Sequence, residues 1–294
     1  MRTPAYGTIH LMDSPTTPSL LSRELPVASP DGHRASLLAR IPATPKTRLL
    51  WLPAMGVAAR HYLPFAEALA TRGIAVFLHE WRGHGSSNLR ASRDHDWGYR
   101  ELLADIAASE AVAAATTPGL RQVIGGHSLG GQLAGLHLAL HPHAASALWL
   151  VASGAPYWRN FPASQRWWLL PGYRLLPWLA RINGSLPGRL IRFAGNEARS
   201  VMADWERSAL SGRYAAAGID RDLDAAMAGF TGEARAIVMA DDWLAPPAST
   251  KFLLSKFRPA RTGMAVFDAV RLGSRADHFS WMKQPDAVVE FLLA

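Results

Sequence analysis

The segment Gly126-His127-Ser128-Leu129-Gly130 places a serine between two glycines, each two residues away. Apolar residues at 123–124 indicate a strand before it, and the helical spacing over 129–140 indicates a helix after it. At so sharp a turn a Cβ at either glycine position would collide, and the serine adopts a strained backbone conformation. The turn would hold the Ser128 hydroxyl clear of the sheet as a nucleophile, and the N–H of Leu129 would face an incoming oxyanion.

This turn and two downstream segments resemble the α/β-hydrolase superfamily, whose catalytic triad follows the chain order nucleophile, acid, histidine. Residues 236–246 resemble the strand end that carries the acid, and the segment around His278 resembles the loop that holds the histidine. The resemblance implies that His278 takes the proton from Ser128 while Asp242 fixes the tautomer of His278. Asp241 is the alternative acid, since only one of two adjacent residues can point at His278.

Two upstream segments also resemble the superfamily, with departures. Residues 78–86 resemble its D-x-R-G-x-G-x-S stretch, with Glu80 in place of the usual Asp, and we expect this element to shape a loop. In residues 49–56, Pro53-Ala54 stands where relatives carry His-Gly. Because an oxyanion donor is a backbone N–H, its chemistry can survive this change. By position the second donor is Met55, with Ala54 or Gly56 as alternatives.

The rest of the chain predicts an α/β fold. Short apolar runs separated by turn signals are followed by alternating strands and helices, and several strands are continuously apolar. Continuously apolar strands are typical of a sheet covered on both faces. We therefore expect a mostly parallel central sheet with helices on both faces, the α/β-hydrolase fold, with a helical cap inserted into it.

The predicted organisation has three parts. Residues 1–22 are rich in Pro, Ser and Thr and predict a loose N-terminal arm. Residues 23–154 and 233–294 predict the hydrolase core. Residues 155–232 show no clear strands and predict a helical cap, in which Pro171 and Pro177 are expected to interrupt any long helix.

The cap segment is rich in tryptophan and arginine. We expect Trp158, Trp167 and Trp168 to form an apolar substrate pocket, against the alternative that they only pack the cap onto the core. Residues 155–200 hold seven arginines and one acid, and on a helix three of these arginines would lie on one side. Contact of the cap with an anionic membrane surface is the less favoured interpretation. Most of the chain's net charge of +8 lies in this segment, so nucleic-acid binding through residues 155–200 is a further alternative. We do not expect it, because only four of the 31 basic residues are lysines and an arginine-rich composition is weak evidence of a polyanionic partner.

The composition excludes several classes of protein. The 294 residues are 49% hydrophobic and 18% charged, which excludes a disordered chain, and the absence of cysteine excludes disulfides and thiolate nucleophiles. The sequence has no phosphate-binding or dinucleotide-binding fingerprint and no cluster typical of a metal site, so no cofactor and no metal are expected. Without a signal peptide or a long apolar stretch, we expect a cytoplasmic protein; its oligomeric state is not determined by the sequence.

Together these features predict a serine hydrolase that cleaves an ester of a hydrophobic or aromatic acyl compound, with a small-molecule acyl substrate as its partner. An acyltransferase, a thioesterase or a peptidase would use the same residues with a different leaving group or acceptor. The alternative from another class is a small-molecule receptor that keeps the fold without catalysis.

Overall fold

A computed structural model describes residues 20–191 and 193–294. The strands are Leu20–Ala28 (β1), Arg34–Pro42 (β2), Thr47–Leu52 (β3), Ile74–Leu78 (β4), Arg121–His127 (β5), Ala147–Val151 (β6), Ser185–Pro187 (β7), Asn196–Ala198 (β8), Glu233–Met239 (β9) and Arg261–Phe267 (β10). The α-helices are Leu63–Ala70 (α1), Tyr99–Thr116 (α2), Leu129–Leu140 (α3), Ala163–Asn183 (α4), Gly188–Ile191 (α5), Arg199–Ser211 (α6), Leu223–Ala226 (α7), Pro247–Leu254 (α8), Ala269–Leu272 (α9) and Asp286–Leu293 (α10).

Eight of the strands form one mixed sheet in the order β1-β2-β4-β3-β5-β6-β9-β10. β1 and β2 pair antiparallel, as do β2 and β4, and every other neighbouring pair is parallel. Parallel strands require crossover connections, which α1, α2, α3 and α8 supply. The mostly parallel sheet predicted from the apolar runs is confirmed.

The sheet is buried on both faces. Along β4, Val76 packs into the core layer that contains α1 and α10, whereas Phe77 packs into the opposite layer with α2 and α3. All five residues of β4 are buried, because successive side chains of a strand point to opposite faces and both faces are covered. Continuously apolar strands are thus the sequence signature of this central sheet.

Within the described residues, the sheet already includes the three residues before the predicted boundary between arm and core. β1 starts at Leu20, which pairs with Pro42, so residues 20–22 belong to the sheet. The predicted boundary at residue 23 is therefore wrong by these three residues, because the partner strand β2 is long enough to pair with each of them. The remainder of the predicted arm, residues 1–19, lies outside the described residues.

The segment 155–232 contains α4 to α7 and an antiparallel ribbon of β7 and β8, which the sequence did not predict. α4 runs without a break through Pro171 and Pro177, so the expected interruption is also wrong. An internal proline costs about 3 kcal/mol of helix stability. Buried side chains of α4, including Leu169 and Tyr173, pack against the rest of the cap and offset that local cost.

The end of this segment lies on the core. α7 packs against α3, and Leu223 and Met227 are buried there. Among the described residues, none of the helices combines the length and the apolar character needed to cross a bilayer.

Candidate active site

The turn between β5 and α3 has the strained geometry that the glycine spacing predicts. Ser128 has φ +54° and ψ −121°, a left-handed φ that is costly for a residue with a side chain. A Cβ on Gly126 would lie 2.3 Å from the carbonyl carbon of Gly130, and one on Gly130 would lie 2.1 Å from the carbonyl oxygen of Leu52. Both positions therefore exclude every residue except glycine.

A serine on the neighbouring strand end supports this turn. The Ser153 hydroxyl donates a hydrogen bond of 2.7 Å to the carbonyl oxygen of Ser128. Gly131 allows the contact, since a Cβ there would lie 2.4 Å from the Ser153 hydroxyl oxygen. Ser153 thus stabilises the backbone conformation that holds Ser128 at the end of the sheet.

His278 and Asp242 form a buried hydrogen-bonded pair. Nδ1 of His278 lies 2.7 Å from Oδ2 of Asp242. The other carboxylate oxygen of Asp242 accepts the N–H groups of Leu244 at 2.8 Å and Ala245 at 3.2 Å. These bonds fix the carboxylate plane, so its free oxygen points at the imidazole ring.

Asp241, the alternative acid, is not part of this pair. Its side chain is exposed, and its backbone N–H donates to the carbonyl oxygen of Ala276. The structure therefore brings Asp242, and not Asp241, to His278.

Ser128 and His278 line the same cavity of about 500 Å³ between the strand ends and the segment 155–232. Within 20–191 and 193–294, no Asp, Glu, Lys or Arg lines it. Its larger apolar and aromatic lining side chains are Met55, Leu129, Phe161, Trp168, Leu169, Tyr173, Leu175, Leu176, Ile191, Phe193, Trp205, Trp243, Leu244 and Phe279. Among the described residues, the Ser128 hydroxyl makes no hydrogen bond to the His278 ring. In enzymes without bound substrate, the hydrogen bond between nucleophile and base is often long and tightens when substrate binds.

The three tryptophans predicted for the pocket have different positions. Trp168 lines the cavity, with its ring 5.3 Å from that of Trp243. Trp167 is 75% exposed and Trp158 packs beside Arg159, so neither lines the cavity and the prediction is wrong for both. Adjacent helical residues point about 100° apart, so the inward position of Trp168 directs Trp167 to the surface.

The predicted oxyanion donors, Met55 and Leu129, both line the cavity. The alternative donor Ala54 is already engaged, since its N–H donates to the Tyr62 hydroxyl at 2.9 Å. Gly56, the other alternative, does not line the cavity. The engaged N–H of Ala54 and the position of Gly56 outside the cavity lining therefore favour Met55 among the three.

His127, the residue before Ser128, is completely buried beside His278, with 4.7 Å between ring centroids. Burial lowers the pKa of His127 well below its usual value, and the neighbouring His278 acts in the same direction. The neutral ring lies 2.8 Å from the Tyr62 hydroxyl through Nδ1. His127 therefore supports the turn through its contact with Tyr62.

The loop after β4 is turned away from the cavity. Glu80 accepts the N–H of Ala59 at 3.1 Å, and burial raises the pKa of its carboxyl group. Arg82 binds Asp105 and Asp31 through short hydrogen bonds. Because none of these side chains lines the cavity, the loop holds neighbouring segments in place.

Sequence reasoning missed several residues of the site. Trp243 and Phe279 line the cavity, and each directly follows a predicted catalytic residue along the chain, Asp242 and His278. Their position in the sequence could therefore have identified them as site residues. Tyr62 lies 65 positions before His127, and no local pattern connects the two.

A doubly covered, mostly parallel sheet with a serine on a strained turn and a histidine–carboxylate pair at the same end defines the α/β-hydrolase class. Residues 43–207 match the sequence profile of the family described as serine aminopeptidase, S33. The match spans more than half of the chain, and the protein belongs to this family and is a hydrolase of the α/β-hydrolase class. A comparison with curated proteins finds no match.

Solved structures of low sequence identity share the fold. A hydrolase from Pseudomonas aeruginosa is 22% identical, with a TM-score of 0.56 over 96% of this chain and 100% of that one. A thermophilic esterase from Thermogutta terrifontis is 12% identical, with a TM-score of 0.63 over 92% and 97%. An enol-lactonase from Burkholderia xenovorans is 18% identical, with a TM-score of 0.56 over 91% and 98%.

Proposed function

We propose that this protein is a serine esterase that cleaves a carboxylic ester of a hydrophobic or aromatic acyl compound. The observation that carries the proposal is a cavity that opens onto both Ser128 and His278, whose ring is paired with Asp242, and that no described Asp, Glu, Lys or Arg lines. Segment 155–232 serves as a lid that supplies one wall of this cavity, including Trp168 and Tyr173.

The reaction proceeds through an acyl-enzyme. His278 takes the proton of the Ser128 hydroxyl as its oxygen attacks the ester carbonyl, and Asp242 stabilises the imidazolium. The N–H groups of Leu129 and Met55 hold the negative oxygen of the tetrahedral intermediate. His278 then returns the proton to the leaving alcohol, and water attacks the acyl-enzyme by the reverse sequence of steps.

The lining of the cavity limits the substrate class. An aminopeptidase must bind the α-ammonium group of its substrate, and an unpaired buried cation is strongly disfavoured. No carboxylate lines the described cavity, so a neutral acyl group fits it better than an amino-acyl group. The names of two structural neighbours, an esterase and an enol-lactonase, also favour attack on an ester bond. A thioesterase or an acyltransferase differs from this proposal in the leaving group or acceptor.

The first test is labelling with a fluorophosphonate probe. The wild type should react, Ser128→Ala should not, and Ser164→Ala, at an exposed serine of α4, should react like the wild type. Labelling of Ser128→Ala at the wild-type rate would contradict the assignment of the nucleophile. The absence of labelling and turnover in all three proteins would favour the receptor alternative.

The second test compares p-nitrophenyl hexanoate, the matching thioester and leucine p-nitroanilide under one set of conditions. We expect the neutral oxygen ester to have the highest kcat/KM and the amino-acyl substrate to be turned over least. Preference for the anilide would replace the esterase proposal with an aminopeptidase, and preference for the thioester would replace it with a thioesterase.

A further inference from the structure

The outward face of α4 carries large apolar side chains that no part of the described chain covers. One side of the helix, within an arc of about 100°, carries the residues at positions 167, 171, 174, 178 and 182. The opposite side carries the buried Leu169, Tyr173 and Ala180. The exposed fractions are 75% for Trp167, 53% for Trp178, 51% for Leu175 and 47% for Ile182. Contiguous exposed tryptophan and aliphatic surface on a soluble domain indicates a binding surface.

Positive charge borders this apolar face. α4 contains three arginines and no acidic residue. The Arg166 guanidinium donates to the carbonyl oxygens of Phe161 and Arg159, so it is used within the cap. Arg174 and Arg181 are exposed along one edge of the face; of these, Arg174 lies 3.5 Å from Glu206. Together with Trp178, they border a shallow groove of about 540 Å³.

We propose that this face of α4 binds an anionic lipid surface. Trp167, Trp178 and Ile182 would enter the headgroup region, where tryptophan is favoured, while Arg174 and Arg181 would contact lipid phosphates. An exposed helix with an apolar face and arginines at its edge is the arrangement of an interfacial helix, because it combines apolar burial with attraction to anionic headgroups.

The same contact would bring the cavity mouth to the bilayer. Trp168 and Leu175 line the cavity and are also exposed beside the outward face of α4. A substrate of low water solubility could then pass from the lipid into the cavity without crossing bulk water. The binding proposal itself does not depend on the esterase assignment.

The charges favour lipid over a second copy of this chain. In a twofold-symmetric dimer built on this face, the same patch meets itself, so one interface would contain Arg174 and Arg181 from both copies. Like charges brought together at an interface disfavour that association. An anionic lipid surface complements both the arginines and the apolar side chains.

The experiment is flotation of the full-length protein with vesicles of ether-linked phosphatidylcholine, with and without ether-linked phosphatidylglycerol. Ether lipids resist ester hydrolysis, so binding is measured apart from turnover. We expect binding to the anionic vesicles and little to the neutral ones. Trp167→Ser combined with Trp178→Ser should abolish binding, and the exposure of both residues predicts an unchanged melting temperature.

A matched pair of variants separates this face from the overall positive charge. Arg174→Gln with Arg181→Gln should weaken binding about fivefold for each arginine removed, since one basic residue near an anionic surface contributes about 1 kcal/mol. Arg72→Gln with Arg261→Gln makes the same charge change at the opposite end of the sheet and should have much less effect.

Equal weakening by the two arginine pairs would overturn the proposal, as would full binding by the tryptophan variant. A dimer found by light scattering without lipid, and lost in the tryptophan variant, would assign the face to a second copy instead.

Discussion

The hydroxyl group of Tyr62 donates a hydrogen bond to Nδ1 of His127, 2.8 Å away, and accepts the N–H of Ala54 at 2.9 Å. Since His127 precedes Ser128 and Ala54 precedes Met55, one buried phenol connects the two segments that carry the proposed oxyanion donors. The lowered pKa of His127, caused chiefly by burial, keeps the ring neutral and its Nδ1 able to accept.

Tyr62→Phe should therefore impair the proposed chemistry while keeping every side chain that lines the cavity. The variant leaves the Ala54 N–H and the His127 ring without their shared partner and releases the Met55 segment. We expect kcat for an ester to fall by about tenfold to a hundredfold, since outright loss of an oxyanion donor costs roughly 10²–10³. We expect KM to change little, because no lining side chain is removed.

Tyr214→Phe is the matched control, because its buried hydroxyl has no hydrogen-bond partner among the described residues. This variant should keep wild-type turnover. Equal kcat values for Tyr62→Phe and Tyr214→Phe would show that the phenol does not position the donors.

The choice of acid gives a second prediction. Asp242→Asn removes the charge 2.7 Å from Nδ1 of His278 and allows the ring to adopt the wrong tautomer. We expect kcat to fall by roughly 10³–10⁴, as expected for loss of the acid of such a triad. Asp241→Asn makes the same change one residue away at an exposed side chain and should leave kcat within about twofold of wild type. The reverse order of the two effects, measured with one ester, would assign the acid to Asp241.

Local sterics explain which features the sequence could predict. The glycines around Ser128 are required by contacts within the turn itself, so a five-residue pattern was sufficient. The apolar runs predicted a doubly covered sheet because every position of such a strand must be buried.

Features set by long-range packing were not predictable in this way. Asp241 and Asp242 differ only in how the chain turns beyond β9, and Trp167 and Trp168 differ only in the rotation of α4 against the core. Similarly, the local cost of Pro171 and Pro177 predicted a broken helix, whereas burial of one side of α4 keeps it continuous.

The depth of the cavity can be tested at Gly172. This residue lies on the cavity-facing side of α4, and a Cβ built there meets no atom within 4 Å. Gly172→Leu should fill this space and also stabilise the helix, because glycine disfavours helix interiors. We expect kcat/KM for p-nitrophenyl esters of long acyl chains to fall at least about tenfold, while p-nitrophenyl acetate is hydrolysed at the wild-type rate. The reason is that each methylene bound in an apolar pocket contributes about 1 kcal/mol or more, and the new side chain would displace several of them.

Ser164→Leu adds the same side chain at an exposed position of α4 and is the matched control. It should leave the chain-length profile unchanged. A profile for Gly172→Leu that also matched the wild type would place the acyl chain elsewhere.

Stability in acid should depend on a buried carboxylate remote from Ser128. Asp105 accepts hydrogen bonds from Ser29, from His33 at 3.1 Å and from Arg82 at 2.6 Å, and Arg82 also binds Asp31. Burial by itself raises the pKa of Asp105, but the hydrogen bonds and charges of His33 and Arg82 outweigh it and lower the pKa to about 2. This network connects the β1–β2 turn, the loop after β4 and α2.

Because the pKa of Asp105 is lower in the folded state, its contribution to the free energy of unfolding is fully present above about pH 4 and is lost as the pH falls towards 2. A shift of this size corresponds to about 2 kcal/mol.

Asp105→Asn should remove that part of the pH dependence and destabilise the protein at pH 7 by about 3–5 kcal/mol, since it leaves Arg82 buried with one fewer carboxylate. Urea unfolding from pH 7 down to pH 3 measures both effects, and Asp220→Asn, at an exposed carboxylate, should follow the wild type. If Asp105→Asn lost stability over this range as steeply as the wild type, the acid sensitivity would have to come from other carboxylates.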